Sequence, residues 1–131
     1  MQSGREINPS PGFKTNPGHV ITVEPFRGTV SVHAAGSLIA ETQNAVLVRE
    51  AGHNPVYYVP IEDIDGDRLV RSGHVSRCPY KGKASYWNIL VGDHEIDNAV
   101  WAYDLPYDEL LELAGLASFY ESTVAVTATP A

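Results

Sequence analysis

The sequence predicts a mainly β fold: a single compact domain of short antiparallel strands in a barrel-like arrangement, with one short helix near the C-terminus. Three observations carry this. Apolar and polar residues alternate with period two in one short run after another. The runs recur at the spacing of about 8 to 12 residues that marks all-β domains, with Gly, Asn and Asp between them. The chain's 131 residues, 44% of them hydrophobic, fit one domain able to bury a core without disulfides.

Residues 1–17 hold Pro9, Pro11, Pro17, Gly4 and Gly12 among Asn, Ser and Thr. Such a stretch buries little apolar area and is expected to be a flexible arm that packs little of its length. The β domain proper is expected over 18–127, with 128–131 as a tail. Val20 to Glu24 reads as a strand ended by Pro25. Thr29–His33 and Ser37–Glu41 read as a hairpin across Ala34-Ala35-Gly36. Ala45–Val48 and Val56–Val59 are the next two strands, and Asp63–Asp67 is a turn. Ala84–Val91 and Glu95–Tyr103 flank Gly92-Asp93-His94, the clearest hairpin signal in the chain. Period two places Trp101 and Tyr103 on one strand face together with Ala99. Pro106 to Asp108 opens the expected helix, since Pro and acids suit a first turn. Leu110, Leu111 and Leu113 give it an apolar side, and Gly115 stops it. Thr123–Thr127 is the last strand.

Composition excludes several classes. Nine Lys plus Arg against 16 Asp plus Glu give a net charge of −7, the wrong sign for a general nucleic-acid binder. No apolar run approaches the roughly 20 residues of a membrane helix. The polar stretch from Met1 to His19 has no apolar core of a signal peptide, so the expected location is the cytoplasm. One cysteine, Cys78, leaves no internal disulfide and no Cys-rich zinc cluster. No metal or cofactor motif occurs. The expected partner is a small molecule, neither nucleic acid nor membrane, with a homo-oligomer also open.

Chemistry-bearing residues gather in two clusters. Ser72 to Trp87 reads as loop-like, broken by Pro79 and Gly82, and holds His74, Cys78, Lys81 and Tyr86. Cations nearby favour a thiolate, so Cys78 is a candidate nucleophile. A small buried hydrophobe, the usual role of a free cysteine, is the favoured reading, with the nucleophile kept as the alternative. Lys81, beside Gly82, is the candidate anion ligand, with Glu50 as its charge partner in the empty state. In a loop, its replacement is expected to cost within about 1 kcal/mol. The second cluster is Glu50, His53, Tyr57 and Tyr58, where Glu50 and His53 form a candidate acid–base pair. The aromatics Trp101 and Tyr103 are candidate walls or core.

Taken in order, Tyr57-Tyr58-Val59-Pro60 with Asp63, His74, Cys78-Pro79-Tyr80-Lys81-Gly82 with Ala84 and Tyr86, Ala99-x-Trp101-x-Tyr103 and Phe119-Tyr120 resemble the DUF427 family. The resemblance runs from about Val20 to Val126. It implies a compact, mainly β domain of barrel-like or Mss4-like shape, with no established reaction. The family also carries the label nucleotidyltransferase-like, but the sequence lacks the Gly-Ser and paired carboxylates with which such enzymes hold Mg²⁺. The motif positions that the resemblance implies are Glu50, His53, Tyr58, Asp63, His74, Cys78, Lys81, Tyr86, Trp101 and Tyr103.

A core at these positions needs only Val, Ile and Leu, without desolvating a Lys, a Glu or a His. Polar motif residues on separate segments therefore point to a shared pocket for a small anionic or planar ligand. Lys81, His74 and the backbone N–H groups around Gly82 would hold the anion. Tyr58, Tyr86, Trp101 and Tyr103 would wall the pocket, with Asp63 as a further polar contact. An enzyme using Cys78, or Glu50 with His53, is the alternative, and a purely structural or interaction domain is the third reading.

Overall fold

The computed structural model describes residues 7–131. Ten strands follow one another: β1 (Ile21–Pro25), β2 (Gly28–Ala34), β3 (Ser37–Thr42), β4 (Val46–Glu50), β5 (Val56–Pro60), β6 (Leu69–Cys78), β7 (Gly82–Val91), β8 (His94–Tyr103), β9 (Leu116–Phe119) and β10 (Ala125–Pro130). They form a seven-stranded sheet in the order β1-β4-β5-β9-β8-β7-β6 and a three-stranded sheet in the order β10-β2-β3. Neighbouring strands pair antiparallel throughout both sheets. The larger sheet stays open, because β1 and β6 are its two free edges. No helix among the described residues is long and apolar enough to cross a membrane.

Alternation gives the larger sheet two buried faces. Tyr57 and Val59 of β5, Ile89 and Val91 of β7, and Val100 and Ala102 of β8 pack with Val30, Val32 and Ile39 of the small sheet in the main core. Tyr58, Tyr86, Trp101 and Tyr103, on the opposite face, enter a second cluster with Val48, Leu110 and Leu113. Period two thus places the aromatics on the face away from the small sheet. Ala99 does not join them. It packs in the main core, because the ladder between β7 and β8 slips between Trp87 and Ile89. Asn98 takes a positive φ of 50° there, and its N–H is held by Asn88 Oδ1. Trp87 pairs with Val100 but Ile89 with Ile96, so β8 carries two extra residues at this bulge, and Ala99 leaves the alternation within it while Ile96, before it, still packs against the main core.

Four expectations need correction. The helix between Pro106 and Gly115 is instead a 3-10 stretch, Asp108–Leu113, broken at Leu110 (φ −123°). Six residues repay α-helix nucleation poorly, and the acids read as dipole partners serve another segment. Asp108 Oδ2 accepts from the N–H of Asn8, and Glu109 Oε1 from that of Ser10.

That segment belongs to the stretch expected to pack little. Residues 8–16 dock on the domain and carry its one α-helix among the described residues, α1 (Pro11–Thr15). Ser10 is fully buried, and both its Oγ and the Gly12 N–H donate to the Pro79 carbonyl. The arm's first residues, 1–6, lie outside the described residues. Residues 128–130, read as tail, pair with β2 down to Pro130↔Gly28. The fourth correction concerns Ser72–Trp87, which is two strands rather than a loop, with the turn confined to residues 79–81. Polar residues on β6 hid it, because an edge strand needs no apolar alternation on its solvent side.

Candidate functional site

The second cluster frames a concavity of about 290 Å³ on the inner face of the curled sheet. Five aromatic rings wall it: Tyr58 from β5, Tyr86 from β7, Trp101 and Tyr103 from β8, and Tyr120 just after β9. Glu50, His53, Asn54, Cys78 and Lys81 supply its polar side. Curvature is what brings these together. Four strand steps separate β4 from β7, which would hold them roughly 19 Å apart in a flat sheet. Yet Lys81 Nζ donates to Glu50 Oε1 at 2.5 Å.

Lys81 sits in the turn between β6 and β7, where the chain cannot drift. Its carbonyl accepts from Tyr107 N–H at 2.9 Å, and its own N–H donates to Cys78 Sγ at 3.4 Å. That N–H is therefore committed to the thiol rather than open to a ligand. Gly82, next in sequence, has φ +132°, and a Cβ there would lie 3.2 Å from the Leu105 carbonyl oxygen. Only glycine suits both demands.

The Lys81 and Glu50 side chains are each 11% exposed. The expectation that Lys81 is a loop cation replaceable within about 1 kcal/mol is corrected accordingly, since a nearly buried pair leaves a stranded charge when one partner goes. Glu50 is clamped from a second side by His19 Nε2, 2.8 Å from Oε2. His53 Nδ1 stands farther off, at 3.9 Å, and is mostly exposed. Burial pushes the Glu50 carboxyl pKa up, but the hydrogen bonds from Lys81 and His19 and the charges of Lys81 and His53 outweigh it and hold it below its usual value.

The aromatic walls are linked through their polar tips. Trp101 Nε1 donates to the Tyr58 hydroxyl at 3.3 Å, and the Tyr86 hydroxyl meets Ser76 Oγ at 2.7 Å. Burial, with smaller effects from neighbours, pushes Tyr58 up to about 12, and burial raises Tyr103 further still. Tyr120 is raised to about 12, first by its hydrogen bond with Tyr86 and then by burial. All three phenols therefore keep their protons at neutral pH. Cys78 is half-buried and lines the cavity instead of being sealed in the core.

Of the ten motif residues, eight line this concavity: Glu50, His53, Tyr58, Cys78, Lys81, Tyr86, Trp101 and Tyr103. His74 stands behind the wall, its ring 4.5 Å from that of Tyr86. Asp63 lies elsewhere, accepting from Thr42 Oγ1 at 2.6 Å beside a separate concavity between β3 and residues 62–65. Its carboxylate anchors a loop there.

Sequence reasoning missed His19, Asn54 and Tyr120 as site residues. His19 lies before the first strand and belongs with Glu50 only because α1 docks, stacking His19 on Tyr80 at 4.1 Å. Tyr120 had the Phe119-Tyr120 pair as a signal, but β9 is too short to announce a face. Among the described residues no three His, Cys, Asp or Glu side chains gather to hold a metal ion. Residues 22–129 match the family model described as a domain of unknown function, DUF427, and the chain belongs to that family. No curated protein matches the chain.

Proposed function

For this member of the DUF427 family we propose a small-ligand-binding function, in which the concavity takes a compound with an anionic head and a planar body. Lys81 holds the head, with Asn54 and His53 at the open side, and Tyr86, Trp101 and Tyr120 flank the body. The observation that carries this reading is the Lys81 ammonium. An ammonium has three N–H donors. Among the described residues Glu50 is the acceptor that Nζ reaches, in a side chain that is nearly buried at the base of an aromatic cavity. Burying a cation is costly, and donors left over in such a place suit an acceptor brought by a ligand. An anion can share Lys81 while Glu50 keeps His19. His74 supports the Tyr86 ring in this arrangement without reaching the ligand, and Asp63 takes no part. The net charge of −7 supports a small-molecule partner over a nucleic acid, and the cytoplasm is the setting we assign.

Calorimetric titration with benzoate, benzamide and benzylamine tests this. Benzoate is expected to bind, benzylamine not to bind, and benzamide to bind more weakly than benzoate. Lys81→Met in the Glu50→Gln background, which strands no charge, is expected to weaken benzoate at least about 10-fold, the loss of one charge-assisted hydrogen bond. Benzylamine binding in preference to benzoate, or equal benzoate affinity without Lys81, would refute the reading.

A further inference from the structure

The cavity also holds a thiol with the surroundings that acyl chemistry needs. We propose that Cys78 is the nucleophile of an acyl-transfer centre, taking the acyl group of a small planar activated acid, an ester or thioester, as a thioester. This rests on the pocket reading above, because the acyl group would occupy the aromatic walls.

Three observations converge. Cys78 Sγ is fixed by the Lys81 N–H at 3.4 Å on the wall of a cavity large enough for a benzoyl-sized group. Cys78 lines the same cavity as Lys81. Hydroxyl donors face the same space. The Tyr58 oxygen accepts from Trp101 Nε1 at 3.3 Å, and Tyr103 lines the same wall. Burial keeps both phenols protonated, as an oxyanion stabiliser requires. Finally, Glu50 is the one carboxylate among the described residues that line the cavity, and it is paired there with Lys81. The chain's single cysteine leaves no resolving thiol, which argues against disulfide chemistry within the chain and for acyl chemistry.

In the step itself, Sγ attacks the carbonyl carbon and an S–C bond forms. The C=O π pair moves to oxygen, where the Tyr58 hydroxyl donates to it. Collapse re-forms the carbonyl and breaks the bond to the leaving group, which departs with that electron pair. The thiol proton ends on the leaving group. Water then attacks the thioester, the C–S bond breaks, and a proton returns to sulfur. The sum is hydrolysis of the ester, with no oxidant or reductant involved.

The experiment exposes the full-length protein to 4-nitrophenyl benzoate, following nitrophenolate release and the benzoyl mass gained, mapped by proteolysis. Folded protein is expected to acylate at Cys78 at least about 10-fold faster than the same protein in urea, as positioning implies. Tyr58→Phe is expected to slow the folded rate by about 100-fold and leave the rate in urea unchanged. Cys78→Ala and Cys78→Ser should lose the mass gain, and excess benzoate should slow the wild type. Acylation no faster in the folded protein, or falling on lysines instead, overturns the proposal. Benzoate binding without preferential acylation would sink the nucleophile and spare the pocket. Fast Cys78 acylation that benzoate does not slow would sink the anion-binding reading and spare the nucleophile.

Discussion

Replacing Lys81 with Met removes one half of a nearly buried ion pair and leaves the stem's apolar packing largely in place. The side chains of Lys81 and Glu50 are both 11% exposed, so the surviving carboxylate would stay desolvated. At an effective dielectric near 20, two charges about 4 Å apart attract by about 4 kcal/mol. Breaking a buried pair from one side costs about 3–5 kcal/mol. His19 remains on Oε2 at 2.8 Å, which puts the expected loss for Lys81→Met at the low end, about 3 kcal/mol. The double change Lys81→Met with Glu50→Gln removes both charges, and we expect it to cost about 1 kcal/mol, because no buried charge is left to desolvate. The coupling between the two sites is then about 2 kcal/mol or more. Urea unfolding measures this. With a slope of about 1.5 kcal/mol/M, the single variant's midpoint falls by about 2 M, and the double variant recovers most of it at an unchanged slope. A single variant within about 1 kcal/mol of wild type, or a double variant that loses the sum of both singles, would refute the buried-pair argument.

Two further outcomes follow from the same geometry. A Cβ at Gly12 would lie 2.8 Å from the Pro79 carbonyl oxygen and 2.7 Å from the Tyr80 ring, so Gly12→Ala is expected to cost about 1–3 kcal/mol by thermal unfolding; no change would mean residues 8–16 do not dock as described. Glu50, held below its usual value of 4.5, contributes stability that is present above that value and lost as pH falls through its folded-state pKa. Stability measured from pH 6 down to pH 2 should therefore fall less steeply below about 4.5 in Glu50→Gln than in wild type, and parallel curves would contradict the assignment.

Local pattern determined the class of this fold. Alternation along Thr29–His33 or Ala84–Val91 is a property of a few neighbouring residues, and period two dictates which side chains share a face. The opposite facing of Tyr57 and Tyr58 and the 92–93 turn were legible for that reason. The family motifs likewise named eight of the residues that line the concavity. Other features depend on contacts distant in sequence. The bulge at Asn98 needs Asn88 across the ladder. The short α1 is held in place by Pro79, and the acids at 108 and 109 secure Asn8 and Ser10 before it. Residues 128–130 are a strand only because β2 offers an edge. The depth of the Lys81–Glu50 pair is of the same kind. Each residue by itself reads as a turn or strand-end charge, and neither records how far the sheet curls between them. Sheet curvature accumulates over strands that are distant in sequence, so tertiary structure alone decided that Lys81, Glu50 and His19 meet, and that they meet nearly out of water.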